Sequence, residues 1–145
     1  MTVVDLHEVA SSRLRQEAQR YTRCRRELVE VLAESDAPLT ILEVLEAGRG
    51  LAQSSAYRNL AVLEQAGVVH RIIASHEHAR YELAQDLTEH HHHLICSRCG
   101  AVRDFTVPDA LEADLERTLR ATATSNDFDA DHHRLDLVGV CAACR

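Results

Sequence analysis

The sequence has no Lys and no Trp, and aromatic residues make up only 3% of it. With so few rings, burial must come from aliphatic side chains. The 46% apolar content over 145 residues is enough for one ordinary domain, or two small ones sharing a core. Long apolar runs are missing too, and none approaches the roughly 20 residues that span a bilayer. The opening "MTVVDLHEVASS" has neither the basic start nor the apolar centre of a secretory signal, so a cytoplasmic protein without a membrane partner is expected. In the absence of Lys all sixteen basic residues are Arg, whose planar fork suits phosphate recognition.

A positive excess is also lacking: net charge is −7. Its distribution says more than its sum. Arg13, Arg15, Arg20, Arg23, Arg25 and Arg26 face the single Glu17 in that stretch, whereas from Asp86 onward eleven acidic residues face six Arg. A basic front and an acidic rear fit a DNA-facing region joined to something else, although a solvated helix face has the same composition.

The chain changes character near its middle. "YTRCRRELVEVLAESDAP" offers Thr22 as an N-cap ahead of Leu28, Val31 and Leu32 at helical spacing. In "LTILEVLEAGRG", Thr40 and Glu43 make a capping-box pattern and Gly48 a stop. "AQSSAYRNLAVLEQAG" has Ser54 or Ser55 as cap, Leu60 and Leu63 facing inward, and Gly67 as terminator. "VVHRII" and "RYEL" read as two strands around the turn "ASHEHA". Three helices and a two-stranded ribbon are the parts of a winged helix-turn-helix. Beyond the linker "AQDLTE", "HHHHLIC", "AVRDFTV" and "HHRLDLVGVC" read as strands. "PDALEADLERTLRATA" reads as a helix with Leu111, Leu115 and Leu119 on one face. The expected class is α+β: a winged helix-turn-helix over 1–84, a hinge over 85–89 and a small α/β domain over 90–145.

Two Cys-x-x-Cys pairs, Cys96–Cys99 and Cys141–Cys144, are separated by 41 residues. Each turn brings two thiolates to one ion, and two turns supply the four sulfurs of a closed structural zinc site. Neither pair sits at the helix start that a thioredoxin-like redox pair needs. Cys24 has no neighbour in sequence and reads as a small apolar helix residue.

Four consecutive histidines, His90 to His93, precede the first pair. On a strand, neighbours point to opposite faces, so His90 and His92 go one way and His91 and His93 the other. The run therefore reads as halves of two metal sites back to back, a solvated polar edge being the plainer alternative. Further ligands can come from His70, His76, His78 and Glu82, or from Glu112, His132 and His133.

Taken in order, "YTRCRRELVEVL", "SSAYRNLAVLEQAGVVHR", "RYELAQ", "HHHHLICSRCGAVRDF" and "HHRLDLVGVCAACR" resemble the ferric uptake regulator family of metal-sensing repressors. The resemblance runs from Tyr21 to the end. It implies a winged-helix DNA-binding domain and a C-terminal dimerisation domain, with structural Zn2+ at Cys96, Cys99, Cys141 and Cys144. The regulatory site falls on His91 and His93 with Glu82, as in iron and peroxide sensors, and with His70, as in zinc sensors. The histidine of iron-type members is replaced by Pro38, and the cysteine of zinc-type members by Ala84. A set of His70, Glu82, His91 and His93 is N3O and suits Zn2+, whereas Fe2+ would want a further carboxylate or water. Zinc is the expected regulatory ion, with iron or peroxide sensing as the alternative, which Asp104 supports. His90, His92, Glu112 and His133 form an additional site.

The start of the "SSAYRNL" helix would enter the major groove, with Ser54 and Ser55 on phosphates. The resemblance makes Tyr57 and Arg58 readers of the DNA, and Arg23, Arg25 and Arg26 backbone contacts; packing of Tyr57 into the helical core is the opposing reading. The expected partner is a palindromic double-stranded operator bound by a homodimer, with no small organic substrate. A zinc hydrolase built on His91, His93 and Glu82 lacks a substrate loop and a general base, so no enzymatic activity is expected.

Overall fold

In the computed structural model, which describes residues 3–48, 50–73 and 79–145, the cap signals of the first half decide where its helices begin. The Thr22 side chain accepts from the Arg25 amide and starts α2 (Arg23–Glu34). Thr40 and Glu43 exchange both bonds of a capping box at the start of α3 (Ile41–Ala47). Gly48 ends α3 with φ −81°; an added Cβ there would meet the Leu51 side chain at 2.7 Å, so the glycine serves close approach rather than a left-handed turn. Helix α4 (Gln53–Gln65) departs from the expectation. Its N-cap is Ala52, without a side-chain bond, and Ser54 and Ser55 lie inside the first turn. Gly67, at φ +75°, turns the chain from α4 into the wing.

Two elements exceed the three helices and two strands expected. Helix α1 (Val3–Gln16) precedes the others and buries Leu6, Ala10 and Leu14, a stripe at four-residue spacing. Strand β1 (Leu39–Thr40) adds to the wing formed by β2 (Val69–Ile73) and β3 (Ala79–Leu83), in the order β1-β3-β2. The core of this half is aliphatic, as the scarcity of rings requires: Leu14, Leu28, Val29, Val44, Leu60, Leu63 and Val68 are fully buried.

A short 3-10 turn, Gln85–Leu87, joins the halves; Leu87 packs into the first core and Gln85 donates to the His91 carbonyl at 3.2 Å. The second sheet runs β5-β4-β6, from β4 (His92–Cys96), β5 (Val102–Phe105) and β6 (Asp136–Gly139). Strand β4 starts two residues later than the histidine run. It pairs antiparallel with β5 and parallel with β6, and the parallel partner is reached through α5 (Asp109–Ser125). No residue of α5 is buried: Leu111 and Leu119, whose spacing signals the helix, are exposed. A small apolar cluster of Ile72, Ile95 and Val102 seats the wing on the second sheet.

Candidate functional site

The second half holds its four sulfurs together. Sγ atoms of Cys96, Cys99, Cys141 and Cys144 lie within 4.8 Å of one another, and Cys99 Sγ is 3.8 Å from Cys141 Sγ. That edge matches a tetrahedron with metal–sulfur bonds of about 2.3 Å. Amides of Cys99 and Cys141 point at the Cys96 sulfur and hold its thiol down to about 6, whereas the thiols of Cys141 and Cys99 push Cys144 up to about 12. Four thiolates this close cannot all ionise without a cation, so the donor set fits a closed, four-coordinate ion.

The histidine run divides by alternate residues as expected, although only His92 and His93 lie on β4. His90 and His92 meet Glu112 and His133 on one face; His91 and His93 meet Glu82 and Asp104 on the other. In the first group Nε2 of His90, His92 and His133 lie 2.9, 2.7 and 2.8 Å from the Glu112 carboxylate. Nδ1 of His133 donates to Glu116 at 2.9 Å.

In the second group Glu82, from wing strand β3, is almost buried and faces His91 Nε2 and His93 Nε2, each 3.0 Å away. Asp104 stands 3.9 and 3.7 Å from the same nitrogens. Both rings are oriented from behind. His91 Nδ1 lies 2.8 Å from the Glu89 carbonyl, and His93 Nδ1 lies 3.4 Å from Asp136 Oδ1. An oxygen acceptor at Nδ1 fixes the proton there and turns the Nε2 lone pair toward the carboxylates, the arrangement metal-binding histidines use. Burial by itself would raise the Glu82 carboxyl, but hydrogen bonds from His91 and His93 hold it down to about 2. The hydrogen bond to Glu82 lifts His91 to about 9 against desolvation. Burial opposes the His93 imidazolium, yet the bond and charge of Glu82 raise it. Without a cation, protons between Glu82 and the two rings neutralise the pocket. Both Glu82 oxygens are engaged by the rings, with Oε1 3.0 Å from His93 Nε2 and Oε2 3.0 Å from His91 Nε2.

His70, the remaining member of the expected set, stands apart from this group. It lies directly across from Glu82 in the β2–β3 ladder, yet its ring is outside the four-residue group, and its Nε2 is buried without a hydrogen bond. The register sets it beside Glu82 on the wing, while Asp104 reaches the rings from β5, where it pairs with His93. Asp104, and not His70, is the fourth residue whose donor atoms gather with Glu82, His91 and His93. His76 and His78 lie outside the described residues. Asp136, Glu116 and the Glu89 carbonyl gave no sequence signal, since only strand register or a helical turn brings them behind the rings.

On α4, Ser54, Tyr57 and Arg58 form an exposed stripe opposite buried Ala56, Leu60 and Leu63, and Ser55 is half-buried. Tyr57 is 47% exposed and does not pack into the core. Arg23 and Arg26 are exposed, with Arg26 paired to Glu30. Arg25 is half-buried and already has partners. Its Nε donates to Asn59 on α4 at 2.9 Å and its Nη1 to the Arg20 carbonyl at 2.6 Å.

This architecture and donor inventory agree with a known family. The model of the Ferric uptake regulator family matches residues 16–138. The chain belongs to the ferric uptake regulator family. Among curated Fur-family relatives, the peroxide-responsive repressor PerR of Staphylococcus aureus is 30% identical over 145 residues, spanning 96% of this chain and 93% of that protein. Among solved Fur structures, that of Helicobacter pylori, described as revealing three functional metal binding sites, aligns with a TM-score of 0.74 at 25% identity. It covers 99% of this chain and 94% of its own. The ferric uptake regulator of Pseudomonas aeruginosa with manganese aligns at 0.71 and 25%, covering 90% and 96%. As a Fur-family member the chain is a metal-responsive DNA-binding regulator of transcription, not an enzyme. Among the described residues no helix is long and apolar enough to cross a membrane.

Proposed function

We propose that the chain is a cytoplasmic, homodimeric repressor whose grip on a palindromic operator is set by a divalent ion held at Glu82, His91, His93 and Asp104, and that this ion is Fe2+. The observation that carries the choice is the donor set. With Asp104 in place of His70 it is two imidazoles and two carboxylates, richer in oxygen than the N3O set that suits zinc. Zn2+ is the second reading, favoured by His70, whose unbonded Nε2 stands beside Glu82 and could restore a third imidazole. The cysteine quartet would hold a structural Zn2+. His90, His92, Glu112 and His133 would hold a further ion, giving three sites in this chain, the number described for the Helicobacter pylori protein.

Glu82, His91, His93 and Asp104 would hold the cation, whose positive charge would stand in for the protons that Glu82 shares with the two rings. Glu82 belongs to the DNA-binding part, read as 1–84, and the other three to the dimerisation part, read as 90–145, so an ion held by all four would fasten one part to the other across the 85–89 hinge. That fixes the angle at which α4 presents Ser54, Ser55, Tyr57 and Arg58, with Arg23 and Arg26 toward the phosphates. A coupling of about 1–3 kcal/mol changes operator affinity roughly 5–150-fold.

Titrating Fe2+, Mn2+ and Zn2+ separately into chelator-treated protein with a palindromic probe tests this. Fe2+ should restore tight binding at the lowest free concentration, and His91→Ala should abolish the response. Full metal-dependent binding by His91→Ala would end the reading. The likeness to a peroxide-responsive repressor adds one arm: intact mass after Fe2+ and hydrogen peroxide, where added oxygen on His91 or His93 marks peroxide sensing.

A further inference from the structure

Among the described residues the wing meets the second half at more than the Glu82 site. Along β3, residues two apart share a face, so Arg80 points the same way as Glu82. Opposite Arg80 across the ladder is Ile72, packed on Ile95 and Val102. The Arg80 side chain is 17% exposed and its guanidinium reaches three separate segments of the chain. Nε donates to the Gly100 carbonyl at 3.0 Å, while Nη1 lies 3.4 Å from the Pro38 carbonyl and 3.4 Å from Glu43 Oε2.

Both ends of this link matter. Gly100 directly follows Cys99, has φ +73°, and its amide donates to the Cys96 carbonyl at 2.9 Å, so its carbonyl is aimed by the first cysteine turn. Glu43 Oε2 also accepts from the Thr40 amide at 2.8 Å, closing the capping box of α3, the helix before the DNA-facing helix. We infer that Arg80 is a positioning residue that couples the four-cysteine knot to the helix-turn-helix, so that the state of the cysteines, and not only the ion at Glu82, sets the presentation of α4.

The physical case is one of charge and burial. A mostly buried guanidinium cannot give up its partners without losing charge-assisted hydrogen bonds, each contributing more than a neutral one. Opening of the Cys96–Cys99 turn would withdraw the Gly100 carbonyl and leave Arg80 held only from the DNA-binding side. This inference rests on the cysteines holding an ion but not on which ion Glu82 meets.

Hydrogen–deuterium exchange and operator binding of the full chain test it. In Arg80→Ala, exchange over residues 38–47 should rise and operator affinity should fall roughly tenfold, while exchange over 92–105 and zinc per chain match wild type. In wild type, extracting zinc from the cysteines should also raise exchange over 38–47; in Arg80→Ala it should add nothing there. Unchanged exchange over 38–47 in the variant, or a rise spread equally over both halves, overturns the assignment. Should Arg80→Ala fail to fold, Arg80→Lys keeps the charge near Glu43 without the fork and is judged by the same criteria. Failure of wild type to bind any operator would count against the proposed function, and the exchange arm would still decide the role of Arg80.

Discussion

His93 shows how much of a site can sit behind the ligands. Its Nε2 faces Glu82 and Asp104, but what holds the ring is Asp136, its partner across the parallel β4–β6 ladder. Asp136→Ala removes no ligand yet frees the tautomer and the ring angle. It should weaken regulatory-ion affinity by about 10–100-fold in chelator competition while zinc at the cysteines stays bound; unchanged affinity would show that Asp136 does not orient the ring. A second residue-scale prediction concerns His7, buried against α2. The Tyr21 hydroxyl, pushed up to about 12 mainly by burial, keeps its proton and donates to His7 Nδ1 at 2.6 Å. Burial lowers His7 below its ordinary 6.5, Arg26 adds to this, and Glu30, 3.4 Å from Nε2, partly opposes it. A folded value below the unfolded one means the neutral ring fits, so its stability is intact above pH 6.5 and is lost as pH falls through the folded value. The stability of wild type relative to His7→Gln should therefore decline from pH 7 to 5, read from denaturant midpoints at each pH; a constant difference would place the His7 pKa at its unfolded value. At this scale the sequence was readable where chemistry is local. The Cys-x-x-Cys turns and the alternation of the histidines depend only on neighbouring residues, while the approach of Asp104 to the rings depends on a strand register that spacing does not encode.

Among the elements, α4 separates the residues that hold the fold from those that face outward. Leu60 is fully buried among the first-half helices, and Leu60→Ala should cost about 2–5 kcal/mol of unfolding free energy. Arg58, two positions away, is exposed. Arg58→Ala should leave thermal stability within about 0.5 kcal/mol of wild type while weakening operator binding by about 1–3 kcal/mol. Equal losses from the two variants in both assays would mean that the exposed stripe is not the reading face. Helices α2 and α3 were legible because Thr22, Thr40 and Glu43 are cap signals with a mechanism. Helix α1 was not, since its buried Leu6, Ala10 and Leu14 are set among Ser and Arg in a weakly apolar stretch. Strand β1 is two residues long and exists only because β3 offers an edge to Leu39 and Thr40. Arg25 looked like a phosphate contact, and only its bond to Asn59 shows that its Nε is turned toward α4.

The whole molecule presents an apolar face that a lone chain has no means of covering. Strand β6 is bonded to β4 on one side only, and Leu137, Val138 and Val140 at this edge are exposed, Val138 to 68%. Helix α5 adds Leu111 and Leu119. An open strand edge beside exposed aliphatic side chains invites pairing with another chain, and Fur-family regulators bind DNA as dimers. A two-fold partner on this face would hold two α4 helices at a fixed separation, which must match half-sites about 34 Å or a multiple apart. It also explains why the Leu111, Leu115 and Leu119 repeat, a sound helix signal, did not mark this chain's own core. Introducing charge tests the face without touching any cysteine, histidine or α4 residue. The double variant Leu111→Glu/Val138→Asp should sediment as a monomer at micromolar concentrations where wild type is a dimer, and should keep its zinc. Its affinity for an intact palindrome should fall to that for a single half-site, and adding regulatory metal should then recover little, because an angle fixed within one chain no longer sets the spacing between two. A variant that remains dimeric and binds the palindrome as wild type would place the interface elsewhere and remove the link between the Glu82 site and operator spacing.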